Sequence, residues 1–193
     1  MLRLTGLPRR GLLLGSLGLP FLTGRPTLAA TTPECRDGDE PTPAQTAGPF
    51  FKPGSPLRAD FRVDGLPGEP MDLSGIVMSP ACAPLAGALV ELWHCDSAGI
   101  YDNDGYRCRG HQLTDSAGRF AFATILPALY PGRTRHFHVR VQAPGGPLLT
   151  TQLYFPDEPG NARDRIWRPE LEMAVERTAD GTAGRYLFVV AQG

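Results

Sequence analysis

Three consecutive stretches decide the fold: Arg119-Phe-Ala-Phe-Ala-Thr-Ile125, the connector Leu126-Pro-Ala-Leu-Tyr-Pro-Gly-Arg-Thr-Arg135, and His136-Phe-His-Val-Arg-Val-Gln-Ala143. The outer two are strand-length and rich in Phe, Val and Thr, residues that suit a pleated surface. Pro131 and Gly132 punctuate the connector as turn chemistry. Side chains in a strand alternate faces. His136, His138 and Arg140 therefore share one face, and Phe137, Val139 and Val141 share the other.

Working outward, Met71–Met78, Ala88–Asp96, Leu148–Phe155 and Arg185–Ala191 read as further strands. Ser97-Ala-Gly99, Asp115-Ser-Ala-Gly118 and Pro144-Gly-Gly146 separate them as turns. Short strands at this spacing predict an all-β fold, a β-sandwich with long loops. The longest helical candidate is Arg163–Val175, and Pro169 interrupts it. With 193 residues, 23 Gly, 20 Pro and 20% charged side chains, the chain suits one turn-rich β domain. A net charge of -1 argues against a nucleic-acid partner.

Residues 1–30 read as a signal peptide. Arg3, Arg9 and Arg10 precede an apolar run from Gly11 to Leu22, and small residues follow at Ala29 and Ala30. The run is too short to span a bilayer, so no membrane association is expected once it is removed. Export to the periplasm or medium follows, and the pair Arg9-Arg10 suits the twin-arginine route. Residues 31–70 are rich in Pro and Gly and read as an extended N-terminal arm. Residues 71–193 form the sandwich. The first 30 residues hold four of the 19 basic side chains and none of the 20 acidic ones, so the remainder is mildly acidic. Cys35, Cys82, Cys95 and Cys108 allow up to two disulfides in an oxidising compartment, with three pairings open; buried thiols are the alternative.

Two imidazoles on one strand face can meet one metal ion. Tyr130 stands six residues before His136, in a Pro-Gly loop that can return its hydroxyl over the strand. Tyr101 sits just past the strand that ends near Asp96. A phenol has a pKa of about 10, so a strongly polarising cation must take its proton's place. Two phenolates and two imidazoles suit a hard trivalent ion.

At this point the chain resembles the intradiol ring-cleavage dioxygenases. The resemblance runs from about Thr42 to Phe155. It includes Gln45-Thr-Ala-Gly-Pro-Phe50, Gly87-Ala-Leu-Val-Glu-Leu-Trp-His-Cys-Asp-Ser-Ala-Gly-Ile-Tyr101 and Thr114-Asp-Ser-Ala-Gly-Arg-Phe120. Tyr130-Pro-Gly-Arg133, His136-Phe-His138 and Thr151-Gln-Leu-Tyr-Phe155 complete it. It implies that Tyr101, Tyr130, His136 and His138 hold one non-haem Fe(3+) per chain, with Tyr130 and His138 axial. It further implies that Arg133 lies against the substrate ring, that Gln152 stands beside Arg133, and that Pro49 lies near the substrate pocket. Tyr130 would leave the metal and accept a substrate proton. The implied substrates are a catechol-type molecule and O2, and the implied product is a cis,cis-muconate-type diacid. No dinucleotide fingerprint is present, and none is needed, because the substrate supplies all four electrons. Three departures stand out: no room for the long helical N-terminal segment of cytoplasmic members, Ala128-Leu129 where a glycine is usual, and a short loop between Tyr101 and Arg109-Gly110. Substrate preference and assembly as a homo-oligomer are open.

Two rival readings differ in class. One is a zinc site from Cys108-x-x-His111 with Cys95 or His94. The other is an exported β-sandwich binding module without catalysis. Trp93, Phe155 and Trp167 read as core residues.

Overall fold

The structure is a computed structural model that describes residues 34–36 and 40–193. The signal-peptide reading of residues 1–30 lies outside the described residues. Eight strands build two four-stranded sheets: β1 (Pro70–Met78), β2 (Leu89–Trp93), β3 (Arg109–Leu113), β4 (Arg119–Ile125), β5 (His136–Gln142), β6 (Leu148–Tyr154), β7 (Ala174–Thr178) and β8 (Gly181–Val189). One sheet has the order β4-β1-β8-β7 and the other β3-β2-β5-β6. The all-β sandwich follows from the pattern described above. Pairing is antiparallel except between β1 and β8, which run parallel with Met71 opposite Thr182.

The core fills the space between the sheets. Val90 and Leu92 of β2, Phe137, Val139 and Val141 of β5, and Leu153 of β6 pack in one cluster with Leu73, Phe120, Phe122 and Phe188. Each such side chain contributes about 1.5–3 kcal/mol when it leaves water. Because Phe137 and Val139 point inward, His136 and His138 must point outward, onto the far face of the second sheet. Cross-strand register sets out a row on that face: Arg109, Trp93, His138 and Gln152 lie directly opposite one another across β3, β2, β5 and β6.

Residues 42–58 cross this outer face and its β3 edge, and Phe61 beyond them is buried in the inter-sheet core. Their backbone bonds to both sheets, at Thr42 N–H to Val189 O (2.9 Å), Gln45 N–H to Thr150 O (2.8 Å) and Arg58 N–H to His111 O (3.0 Å). The segment thereby roofs the row, with Phe51 edge-on to Trp93 at 5.3 Å. A disulfide joins Cys35 to Cys82 in the turn after β1.

Two strands escape the sequence reading. Arg109–Leu113 has no β-branched or aromatic residue, and Ala174–Thr178 begins within the last two residues of the expected helix and runs past its end. Pairing with β2 and β8 imposes both. The expected helix over 163–175 is replaced by the 3-10 turns Asn161–Arg163 and Pro169–Leu171. Pro169 opens the second, where a missing N–H costs nothing.

The zinc arrangement is not assembled among the described residues, which hold no group of three His, Cys, Asp or Glu placed for a metal. His94 is spoken for at both ring nitrogens: Nδ1–H donates to Cys95 O (2.7 Å), and Nε2 accepts from the Thr124 hydroxyl (2.8 Å). The buried Cys95 thiol donates to Ala128 O at 3.4 Å, and burial pushes it up to about 11. Burial likewise lowers His94 from 6.5 to about 4. The unfolded chain thus binds the extra proton between those values. The stabilisation is complete above pH 6.5 and is lost as pH falls toward 4. It amounts to about 3 kcal/mol at most. Thermal melts from about pH 7.5 down to about 4.5 should show a shallower decline for His94→Asn than for the parent. Parallel declines would contradict this.

Candidate metal centre

Two local structures deliver the site's tyrosines. After β2, the Asp96 carboxylate accepts the N–H groups of Ala98 (2.9 Å) and Ile100 (3.0 Å), which folds the chain back so that Tyr101 is buried against β5. The next residue, Asp102, collects the N–H groups of Gly105 (2.7 Å) and Arg107 (3.0 Å). Burial opposes its charge, yet these donors pull Asp102 down to about 2. Tyr130 opens a tight turn closed by Arg133 N–H to Tyr130 O at 3.0 Å. Pro131 takes the second position and Gly132, at φ 79°, the third, as a type II turn requires.

Three donor atoms converge. Tyr101 Oη lies 3.1 Å from His138 Nε2 and 3.4 Å from His136 Nε2, and the two Nε2 atoms lie 3.2 Å apart. Ligands bound at about 2.1 Å and at right angles would sit about 3 Å apart, so these spacings suit one shared ion. Tyr130 stands beside them with its ring edge-on to Tyr101 (5.7 Å) and to Phe50 (5.4 Å). Among the described residues, no hydrogen bond joins its hydroxyl to the other three.

The protonation states fit as well. His136 Nδ1 lies 2.6 Å from Thr134 O, which only accepts, so Nδ1 carries the proton and Nε2 keeps its lone pair. Burial, reinforced by the Arg133 charge, lowers His136 to about 4. Burial, and after it the neighbouring His136, pushes His138 well below its ordinary value. Both rings are therefore neutral, as a metal ligand must be. Burial raises the Tyr101 phenol, so its proton leaves only if another cation replaces it.

His138 is held by stacking on Trp93, with ring centres 5.0 Å apart and planes 7° apart. Trp93 is buried, yet on the outer face rather than in the inter-sheet core. Phe155, by contrast, does join that core, and Trp167 packs against it. On the roof, a Cβ at Gly48 would come within 3.2 Å of His138 Cε1, and φ 70° there suits glycine. Phe50 stacks on Tyr101 at 4.4 Å and 12°. Pro49, between them, is exposed.

Arg133 is fixed from two sides. Its Nε–H donates to Asp164 Oδ2 (2.8 Å) and its Nη2 to Gln152 Oε1 (2.7 Å). Gln152 is fully buried and donates its Nε2 to Thr46 O at 3.0 Å. The Tyr154 hydroxyl lies 2.7 Å from Gln45 Oε1 and 3.4 Å from Arg133 Nη2, and burial raises its pKa to about 12. A cavity of about 440 Å3 adjoins Arg133, lined also by Leu129, Gly132, Thr134 and Asp164. Asp164 escapes the sequence reading. Its carboxylate accepts from Arg133, Thr134 N–H (3.0 Å) and Ile166 N–H (3.1 Å), but no local pattern marks it. Phe50 and Trp93 lie inside the motifs quoted above, but their stacking roles required the fold.

Fold and site together define a β-sandwich protein that gathers phenol and imidazole donors on the outer face of one sheet, beneath a roofing segment. The family model described as Dioxygenase matches residues 46–182. The chain belongs to the intradiol dioxygenase family. It is 30% identical to catechol 1,2-dioxygenase of Pseudomonas sp. over 193 aligned residues, covering 86% of this chain and 63% of that one. It is also 30% identical to catechol 1,2-dioxygenase of Candida albicans, over 65% of this chain and 51% of that one. The chain thus spans between half and two thirds of these relatives. Among solved structures, the dioxygenase domain of a dioxygenase carbohydrate-binding protein fusion from Streptomyces sp. SirexAA-E is 49% identical with a TM-score of 0.78. That match covers 80% of this chain and all of that one. Hydroxyquinol 1,2-dioxygenase from Pseudomonas putida is 26% identical with a TM-score of 0.72, covering 82% and 69%.

Proposed function

We propose that the protein is a non-haem iron(III) intradiol dioxygenase that inserts both atoms of O2 into a catechol-type ring and releases a cis,cis-muconate-type diacid. The convergence of Tyr101 Oη, His136 Nε2 and His138 Nε2 within 3.4 Å carries this reading, with Tyr130 as the fourth ligand. Ferric iron would supply a Lewis acid that draws electron density from a bound catechol ring. His136 and His138 would hold it with neutral nitrogens, and Tyr101 would contribute a phenolate. Tyr130, on a half-exposed turn, would supply a phenolate oxygen and with it an acceptor for a catechol proton at its Oη. Arg133 stays charged throughout and stabilises negative charge that develops on the ring. Phe50 and Gly48 close the face against water. One O2 adds to one catechol with no electrons left over, so no external reductant is required.

The chain, loaded with ferric iron and given catechol and hydroxyquinol in an oxygen electrode, should consume one O2 per diacid formed. O2 uptake only in the presence of a reductant, or none with either substrate, would overturn the reading. We also propose export. The Cys35–Cys82 disulfide supports an oxidising compartment.

A further inference from the structure

Arg109 is only 1% exposed. Among the described residues, no carboxylate lies within salt-bridge distance of it. Its Nε–H donates to the carbonyl of Asp102 (2.9 Å), and its Nη1 donates to the carbonyl of Phe50 (2.7 Å). Nη2 is buried without a partner. A guanidinium with no carboxylate in direct contact is costly to bury, and an apolar side chain of similar length would fill the volume at less cost. The two carbonyls it holds therefore matter. Asp102 directly follows Tyr101 in sequence. Phe50 stacks face to face on the Tyr101 ring. One side chain thus grips Tyr101 from both sides, through the backbone behind it and through the ring that covers it. The anchor is rigid: Arg109 stands on β3 opposite Trp93, which is itself opposite His138 and stacked on it. Arg58 Nε–H in turn holds the Arg109 carbonyl at 3.1 Å.

We propose that Arg109 is a positioning residue that sets the Tyr101 hydroxyl against the two imidazoles by clamping the 101–102 and 50–51 loops together. The proposal rests on the metal-centre reading above. Lysine at this position keeps the charge but lacks the planar fork, so it cannot hold both carbonyls in the same geometry.

The test uses the full chain loaded with ferric iron, as Arg109→Lys, Arg109→Met and Tyr101→Phe. The readouts are iron content, the visible phenolate-to-iron absorption band, kcat and KM, with the apoprotein melting point alongside. Arg109→Lys should bind iron, with a weakened and shifted band. Its kcat should fall by about 10²-fold at nearly constant KM, as for a ligand displaced by a fraction of an ångström to an ångström. Arg109→Met, where it folds, should go further in the same direction. A purely structural role would lower the melting point and leave band and kcat in place in Arg109→Lys, and that result overturns the proposal. Tyr101→Phe separates the two failures. If it too keeps the parent band, the metal-centre reading itself falls; if it alone loses band intensity, only the role of Arg109 falls.

Discussion

His136→Ala is expected to leave the folded protein essentially without iron and without activity. The imidazole meets Tyr101 Oη and His138 Nε2 with one nitrogen and anchors to Thr134 O with the other. Alanine removes both the lone pair and the anchor. Loss of a mere supporting contact to a ligand typically weakens metal binding by about 10–100-fold, so loss of the ligand itself should exceed the upper figure. The fold should survive, because the site lies on the outer face and the inter-sheet core does not include His136. Metal analysis after dialysis, together with kcat, checks this. A variant that retained one iron per chain and parental kcat would remove His136 from the ligand set.

Arg133→Met is the second large effect, and it should separate binding of the metal from chemistry. Iron content should be parental, since Arg133 touches none of the three donor atoms directly. The rate should fall by about 10²–10³-fold in kcat, the usual consequence of deleting one preorganised group that stabilises developing charge. Arg133 is preorganised by Asp164 on one side and Gln152 on the other. Its removal also leaves the Asp164 carboxylate, which is 3% exposed, without its guanidinium. The backbone N–H groups of Thr134 and Ile166 still hold that carboxylate, so the variant should fold. Steady-state kinetics on iron-loaded protein reads the effect. A parental kcat would show that Arg133 only braces the surface.

Much of this was legible in the sequence because strand periodicity is a strong signal. The alternation in His136–Val141 puts both imidazoles on one face, opposite Phe137, Val139 and Val141, which fill the inter-sheet core. β3 was illegible for the opposite reason: Arg109-Gly-His-Gln-Leu has no strand propensity of its own and becomes a strand only by pairing with β2. That miss concealed Arg109, the residue on which the Tyr101 loop hangs. The helical expectation over 163–175 reaches only the first two residues of β7, where the two-residue hairpin into β8 enforces extension. Asp164 and the stacking of Trp93 on His138 are long-range relations. Nothing near Asp164 announces that it will meet Arg133, 31 residues earlier in the chain.

The central claim is that tyrosine oxygens and histidine nitrogens of this chain share one ferric ion that accepts a catechol. The most direct measurement is a visible absorption spectrum of the iron-loaded protein under anaerobic conditions, recorded before and after adding catechol. The account predicts a broad phenolate-to-iron band before addition, moved to longer wavelength and strengthened after it. A colourless iron-loaded protein, or a band that ignores catechol at saturating concentration, would contradict it.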